Sequence, residues 1–521
     1  MARTPTTTGG GLVPNFSSAV NPAPNYLPRR VGRFTVNACR NALCASFAVP
    51  PTLASQGLGH STGRLTRKND ARSYHCNACG KESAIKSNTV LVEEYSRLMR
   101  AHRRTKREYC PNPACGSHGV PKSLMPSAYR THGTTPKGDP RFQCKGCLKT
   151  FSIGAPTRRH KETTETGQIM KLLVNNVPLR RIREIADIPA DRLYHRIDFL
   201  ADQCRRMAGH KEQNMAKTFA ERHRVLSCDV QMLLANWERN GQVDTVPVYH
   251  AATVERDTSY IVATTTDYDP DTDPEETERS MLINGDFFVP RAWRDCARTW
   301  TYSEYVDSIT RGATNQPTPP GPPPNHITLP GKGSRIRAET FQTAHMMLVK
   351  KLVGQDFHKL HICIDGDTGF GALACMLFAG DIMAGRANVA VVRFRKALGN
   401  SKREQRVLVG ESLKTRDSLH LAQLMQVAKV AYGLRANDPT KDEITPLIAA
   451  RLMNDFAFAP TGERGRFFAE QGFEWRYHRK EEPDKKIYLL TDRGTMTFGD
   501  LAILLTRSSL APVDKYFNQV R

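Results

Sequence analysis

The sequence has no run of roughly 18 consecutive apolar residues, the least a helix needs to cross a bilayer. Its opening, MARTPTTTGGGLVPNFSS, lacks the continuous apolar core of a secretory signal. Both absences predict a protein that stays in the compartment where it is made and has no membrane partner. Acid is scarce at the front: residues 1–160 hold 6 Asp and Glu against 25 Lys and Arg, a balance of +19 out of a total of +23. The remaining 361 residues share +4. That asymmetry marks a polyanion-binding front on a nearly neutral rear, and nucleic acid is the commonest such partner. Basic amphipathic helices with exposed aromatics, which a membrane surface would call for, are absent. At 521 residues the chain is too long for one core and predicts three or four folded units.

Thirteen cysteines could suggest disulfides, but the absence of a secretory signal argues against that reading. Eight of them fall before residue 150 and repeat a pattern. Cys39 and Cys44 are answered by Cys76 and Cys79; Cys110 and Cys115 are answered by Cys144 and Cys147. The offset between copies is 71 residues for the first pairs and 68 for the second. A duplicated C-x4-C…C-x2-C supplies four thiolates twice, the ligand set of a structural zinc ion. Two zinc ribbons with two Zn2+ ions are therefore expected, over residues 35–90 and 91–160, after a flexible N-terminus at 1–34. Gly80 and Gly146 lie beside the second knuckles, where a positive φ is useful. Between the ribbons, EEYSRLMRAHRRTKREY reads as a helix whose Arg103, Arg104, Lys106 and Arg107 suit phosphate contacts. Cys204, Cys228, Cys296, Cys363 and Cys375 sit unpaired in apolar segments and read as core.

From 161 to 210 apolar residues recur at helical spacing in three pieces: Ile169, Leu172, Leu173; Leu179, Ile182, Ile185, Ala186; and Leu193, Ile197, Leu200. Asn175-Asn176-Val177-Pro178 and Asp187-Ile188-Pro189 break them, and a tight turn before the last helix fits a helix-turn-helix. Arg192, Tyr194, His195 and Arg196 stand at polar positions of that last helix and form the candidate DNA-reading face.

After residue 220 the pattern turns to strands. HRVLSCDVQ reads as a short strand ending in Asp229, followed by VDTVPVYHAATVE and SYIVATTTDYD. An insertion near 268–335 begins with an acidic run, read as a solvated loop, and continues into a proline-rich stretch that cannot join a sheet. A helix over 338–352, the strand KLHICID ending at Asp365, a helix over 371–378 and the strand NVAVVRFRK complete the set. Three strands, then helix–strand–helix–strand, is the order of an α/β ribonuclease-H-like domain, here 220–521. In that fold Asp229 and Asp365 would stand side by side, a carboxylate pair suited to Mg2+ and two-metal phosphoryl transfer. Asp367 ranks second to Asp365.

The run CPNPAC…RFQCKGCLKTFSIG followed by VPLRRIREIADIP…LYHRIDFL resembles the zinc ribbon and helix-turn-helix of bacterial insertion-sequence DDE transposases, and LSCDVQ and ICIDGD resemble their catalytic strands. The likeness covers roughly residues 105–521; the ribbon at 39–79 is an addition to it. It implies binding of double-stranded DNA at transposon ends, action as a homo-oligomer on DNA, a location on the bacterial nucleoid, and metal-dependent strand cleavage and transfer. Asp229 and Asp365 would be two of three carboxylates. Glu470, Glu474 and Asp492 are candidates for the third. The final DKYFNQVR reads as the middle of a helix, so the chain is expected to be shortened at its C-terminus. The alternative is a DNA-binding regulator or inactive remnant with a degenerate catalytic domain.

Overall fold

A computed structural model describes residues 26–51, 59–60, 62–68, 71–102, 109–120, 122, 125–153, 164–212, 215–239, 242–301, 304–305, 333–366, 370–394, 419–433, 444–460, 462–475, 482 and 485–520. The chain is multidomain with mixed α/β content. It divides into two units: Met1–Leu98 with Ala216–Arg521, and Met99–Met215. The basic run 103–107, Asp367 and most of the proline-rich insertion lie outside the described residues.

In the first unit the first cysteine quartet sits beside a four-stranded antiparallel sheet: β1 (Gly59–His60), β2 (Gly63–Lys68), β3 (Ala71–Cys76) and β4 (Glu82–Ala84). Helix α1 (Asn88–His102) follows. The second unit repeats the arrangement with β5 (Tyr129–Thr134), β6 (Pro140–Cys144) and β7 (Thr150–Ser152). The duplication is kept bond for bond. Cys44 N–H donates to Asn41 O as Cys115 N–H does to Asn112 O; Phe47 to Cys44 O as His118 to Cys115 O. In the second knuckles Gly80 donates to Cys76 O as Leu148 does to Cys144 O. The left-handed residue is thus Gly80 (φ 68°) in one copy and Leu148 (φ 61°) in the other. Gly146 was expected in that role and does not take it; it stands where a Cβ would lie 3.5 Å from Cys115 Sγ, an ordinary contact.

Three helices complete the second unit: α2 (Thr164–Val174), α3 (Leu179–Ala186) and α4 (Ala190–Glu212). Ile169, Ile182, Ile188 and Leu193 form their buried core, with Leu172, Leu173, Val177, Ala186, Ile197 and Leu200 around it. Leu179 and Ile185, expected inside, are exposed. Helix α3 has two turns only, and the turn residues Val177 and Ile188 fill the space instead. Asp187 in the left-handed region (φ 48°) makes the bend into α4. Cys204, expected in the core, is exposed on α4.

The first unit continues with α5 (Met215–Ala220) and a seven-stranded sheet. Its strands are β8 (His223–Arg239), β9 (Gln242–Glu255), β10 (Ile261–Thr266), β13 (Lys359–Asp365), β14 (Ala387–Arg393), β15 (Phe473–Glu474) and β16 (Lys486–Leu489), ordered β10-β9-β8-β13-β14-β16-β15. The first three run antiparallel; β13 is parallel to β8, and β14 to β13. Strand β8 is far longer than expected, because its second half pairs with β9 alone as a two-stranded ribbon. Asp229 therefore lies mid-strand, at the point where the pairing with β13 gives out.

The insertion is more ordered than a solvated loop at its ends. β11 (Tyr268–Asp269) pairs with β12 (Ser334–Arg335), flanking α6 (Pro274–Ile283). Asp267 is buried and receives two bonds from Arg335, and Asp269 lies 2.7 Å from Arg298. Acids that read as solvated are held by arginines too distant in sequence to foresee.

Helices pack on both faces of the sheet. On one, α7 (Ala338–Val353) lies across β9 and β10, with Phe341 against Ala251 and Ile336, and α8 (Phe370–Leu377) lies on β14. On the other, α9 (Leu419–Ala431), α10 (Ile444–Phe456) and α11 (Phe498–Arg507) cover the β14–β16 half. The last helix, α12 (Ala511–Val520), covers β8 and β9 through Leu510, Val513 and Phe517.

A left-handed position costs an L-residue about 1 kcal/mol or more. Gly80→Ala should therefore lower the denaturation midpoint of the zinc-loaded protein, and Gly146→Ala should leave it nearly unchanged. Equal effects of the two would contradict the assignment of the knuckle geometry.

Candidate active site and metal centres

The eight predicted cysteines gather into the two predicted quartets, and within each the sulfurs lie within 4.8 Å of one another. The closest approaches are 3.6 Å (Cys39–Cys79), 3.7 Å (Cys44–Cys76), 3.3 Å (Cys110–Cys147) and 3.8 Å (Cys115–Cys144). Thiolates about 2.3 Å from a tetrahedral zinc stand about 3.8 Å apart, so both quartets can hold the ion. Local electrostatics favour thiolates in the second knuckles, Cys79 in one and both Cys144 and Cys147 in the other. Burial opposes ionisation of Cys144, yet the Cys147 and Gly146 N–H groups and neighbouring thiols bring it down to about 6. Burial also opposes ionisation of Cys79, but the Lys81 N–H and Asn41 bring it to about 7. Burial pushes Cys110 up to about 12, the burden a bound cation would relieve.

The quartets are alike inside and differ outside. The first is seated in the same unit as the large sheet. Arg493 donates to Ala42 O at 2.5 Å, Lys86 pairs with Glu339, and Val36 and Leu91 share a core with Leu373. The second belongs to the unit with α2–α4, whose residues 99–215 carry 23 Lys and Arg against 10 Asp and Glu. Arg130, Arg141, Lys145 and Lys149 are exposed around it. On α4, Tyr194 and His195 are exposed and Arg192 is partly so, 3.0 Å from Glu165. Arg196 is buried and also faces Glu165, at 3.5 Å, so it joins α4 to α2 rather than facing solvent.

The two predicted aspartates are brought together by strand register. Ile364 pairs with Cys228 across the parallel β13–β8 ladder, and the next residues along are Asp365 and Asp229. Neighbouring strands lie about 4.8 Å apart. Alternation puts Asp229 on the same face as Val225 and Ser227, and Asp365 on the same face as His361 and Cys363. That face is the one under α12, since Val225 and Cys363 pack with Leu510, Val513 and Phe517. Asp229 is buried and accepts from the Val230 N–H at 2.7 Å; Asp365 accepts from the Gly366 N–H at 2.6 Å.

None of the expected third carboxylates is near. Asp492 is fully buried and held by Arg464 at 2.7 and 2.9 Å. Glu470 is exposed, 3.6 Å from Lys81, and Glu474 lies exposed on the strand at the far sheet edge. Asp514, in the first turn of α12, lines with Asp229 a cleft of about 560 Å³. Gln231, Phe394, Lys515 and Asn518 also line it. The segment that reads as the middle of a helix makes up the middle and end of α12, and Tyr516 and Phe517 find their core on the sheet. A signal for Asp514 is present in the sequence. Leu510, Val513, Asp514 and Phe517 are spaced i, i+3, i+4, i+7, an acid inside an apolar stripe.

Among the described residues no helix is long and apolar enough to cross a membrane. Comparison with protein-family models, curated proteins and solved structures gives no match.

Metal analysis of purified protein should find two zinc ions per chain. Cys144→Ser should remove one of them and leave the first quartet filled. Retention of both ions, or loss of both, would contradict two independent centres.

Proposed function

We propose that the chain is a DNA transposase of the insertion-sequence DDE kind, cutting and joining DNA at element ends. What supports this reading is the adjacency of Asp229 and Asp365 on neighbouring strands, with Asp514 and Asp229 lining one cleft, in a sheet whose first five strands, numbered within the domain, are ordered 3-2-1-4-5. That order, with the first three antiparallel and the last two parallel to the first, supports the ribonuclease-H-like reading. Carboxylate oxygens suit Mg2+ and contrast with the thiolate quartets upstream. Asp229, Asp365 and Asp514 would hold the metal, which when bound supplies activation of the attacking oxygen and neutralisation of the leaving one. Lys515, exposed beside Asp514, is placed to meet the phosphate backbone entering the cleft.

DNA is held elsewhere in this proposal. Helices α2–α4 act as a helix-turn-helix, with Tyr194, His195 and Arg192 of α4 toward the groove. The second ribbon contributes Arg130, Arg141, Lys145 and Lys149 to the phosphates. Strand transfer needs two ends held at once, so a homo-oligomer assembled on DNA is part of the reading.

Two outcomes test it. In a nicking assay with Mg2+ on supercoiled DNA carrying the element ends, Asp229→Asn, Asp365→Asn and Asp514→Asn should each reduce the rate by on the order of 10³-fold. Duplex affinity should stay within about twofold for all three, because the phosphates are bound elsewhere. If the unaltered chain binds DNA and never nicks it, the regulator alternative replaces the enzyme. Separately, Lys145→Ala with Lys149→Ala should flatten the slope of log affinity against log salt by about 2, at roughly 0.9 for each phosphate no longer neutralised. An unchanged slope would remove the second ribbon from the DNA interface.

A further inference from the structure

A buried polar network stands at the start of α12, and apolar side chains would fill its place with less desolvation. Glu482, Lys485, Ser508, Ser509, His361 and Ser227 are all at most 3% exposed. One Glu482 oxygen accepts from Ser509 Oγ at 2.7 Å, Leu510 N–H at 2.6 Å and Ala511 N–H at 3.2 Å, capping the first turn of α12. Its other oxygen takes a bond from Lys485 Nζ at 2.8 Å, and Lys485 also donates to Ser508 O. Two strands reach the same turn. Ser227, two residues before Asp229 on β8, donates to Ser509 O at 2.8 Å. His361, four before Asp365 on β13, meets Ser508 Oγ at 2.8 Å. The Ser508 hydroxyl donates to Leu504 O, so it accepts from His361 Nε2–H.

We propose that this network is a positioning device: the Ser508–Ser509 turn bolts α12 to both aspartate-bearing strands and so sets where the Asp514 carboxylate stands relative to Asp229 and Asp365. This rests on the three-carboxylate reading above. The apolar contacts of α12 alone would let the helix slide along the sheet by a fraction of a turn at little cost. Hydrogen bonds with fixed partners do not permit that. Asp514 lies three residues beyond Ala511, about 4.5 Å along the helix axis, so a displacement at the cap is passed almost undiminished to its carboxylate. Buried ion pairs seldom add net stability, and fixing one arrangement is a use for which they are retained. Glu482, Lys485, Ser227, Ser508, Ser509 and His361 are positioning residues; none lines the cleft.

The test is Mn2+ binding by the intact, zinc-loaded protein without DNA, followed by calorimetry. Ser227→Ala and Ser509→Ala should each weaken Mn2+ by about tenfold or more, as loss of a group that orients a ligand does. Ser509→Thr, which keeps the hydroxyl, should stay within about twofold of the unaltered chain. Zinc content should be unchanged, and nicking by the two alanine variants should recover when Mn2+ is raised, which a loss of folded protein would not produce. If both alanine variants bind Mn2+ normally while Asp514→Asn does not, the positioning proposal is overturned and the carboxylate reading survives. If Asp514→Asn binds Mn2+ as the unaltered chain does, both fall. Should Ser509→Ala fail to fold, Ser227→Ala decides alone, since it removes one hydroxyl from the strand and leaves the helix cap in place.

Discussion

The parallel pairing of β8 with β13 is the contact on which the proposed chemistry depends. It makes neighbours of Cys228 and Ile364, and in the next step of Asp229 and Asp365. Everything between them, including α6, α7 and the insertion, is carried as an excursion from that ladder. The antiparallel β8–β9 ribbon continues past it, so Asp229 sits where β8 loses β13 as a neighbour and keeps β9. A cleft opens there, and α12 brings Asp514 to its other wall. Two acids on adjacent strands repel unless something cationic stands between them.

The two cysteine quartets share one duplicated scaffold and differ in their surroundings. Their knuckle hydrogen bonds correspond at the 71- and 68-residue offsets of the cysteines, so the metal cage is common to both. The surroundings differ. Arg493, Lys86 and the Val36–Leu91–Leu373 contact fasten the first ribbon to the large sheet's unit. The second lies in the more basic unit with exposed Arg130, Arg141, Lys145 and Lys149. A front-loaded charge, which in the sequence reads as one polyanion-binding surface, is thus divided between a ribbon built into the sheet-bearing unit and one beside the three helices.

What is legible in the sequence follows from range. The cysteine quartets, the three short helices and the strand order through β14 rest on local patterns, and each is readable. Asp365 stands out because its apolar strand announces its end, and Asp229 stands out as an acid in an apolar run, although β8 continues ten residues past it. Arg196 reads as exposed because its partner Glu165 lies 31 residues earlier, beyond what helical spacing reveals. The seating of the first ribbon is hidden for the same reason: Ala42 and Arg493 are 451 positions apart. Asp514 escapes because the last segment reads as the middle of a helix, which conceals that its acid falls within the inward stripe. Asp492 draws attention as a strand-end acid, but Arg464 claims it.

The central claim is that three aspartates form one divalent-metal site. Anomalous diffraction from crystals of the intact protein soaked in Mn2+ tests it most directly. The account predicts a manganese peak within coordination distance, about 2.0–2.3 Å, of carboxylate oxygens from Asp229, Asp365 and Asp514 together. A peak touching the first two with Asp514 turned away, or no peak in the cleft at all, would contradict it.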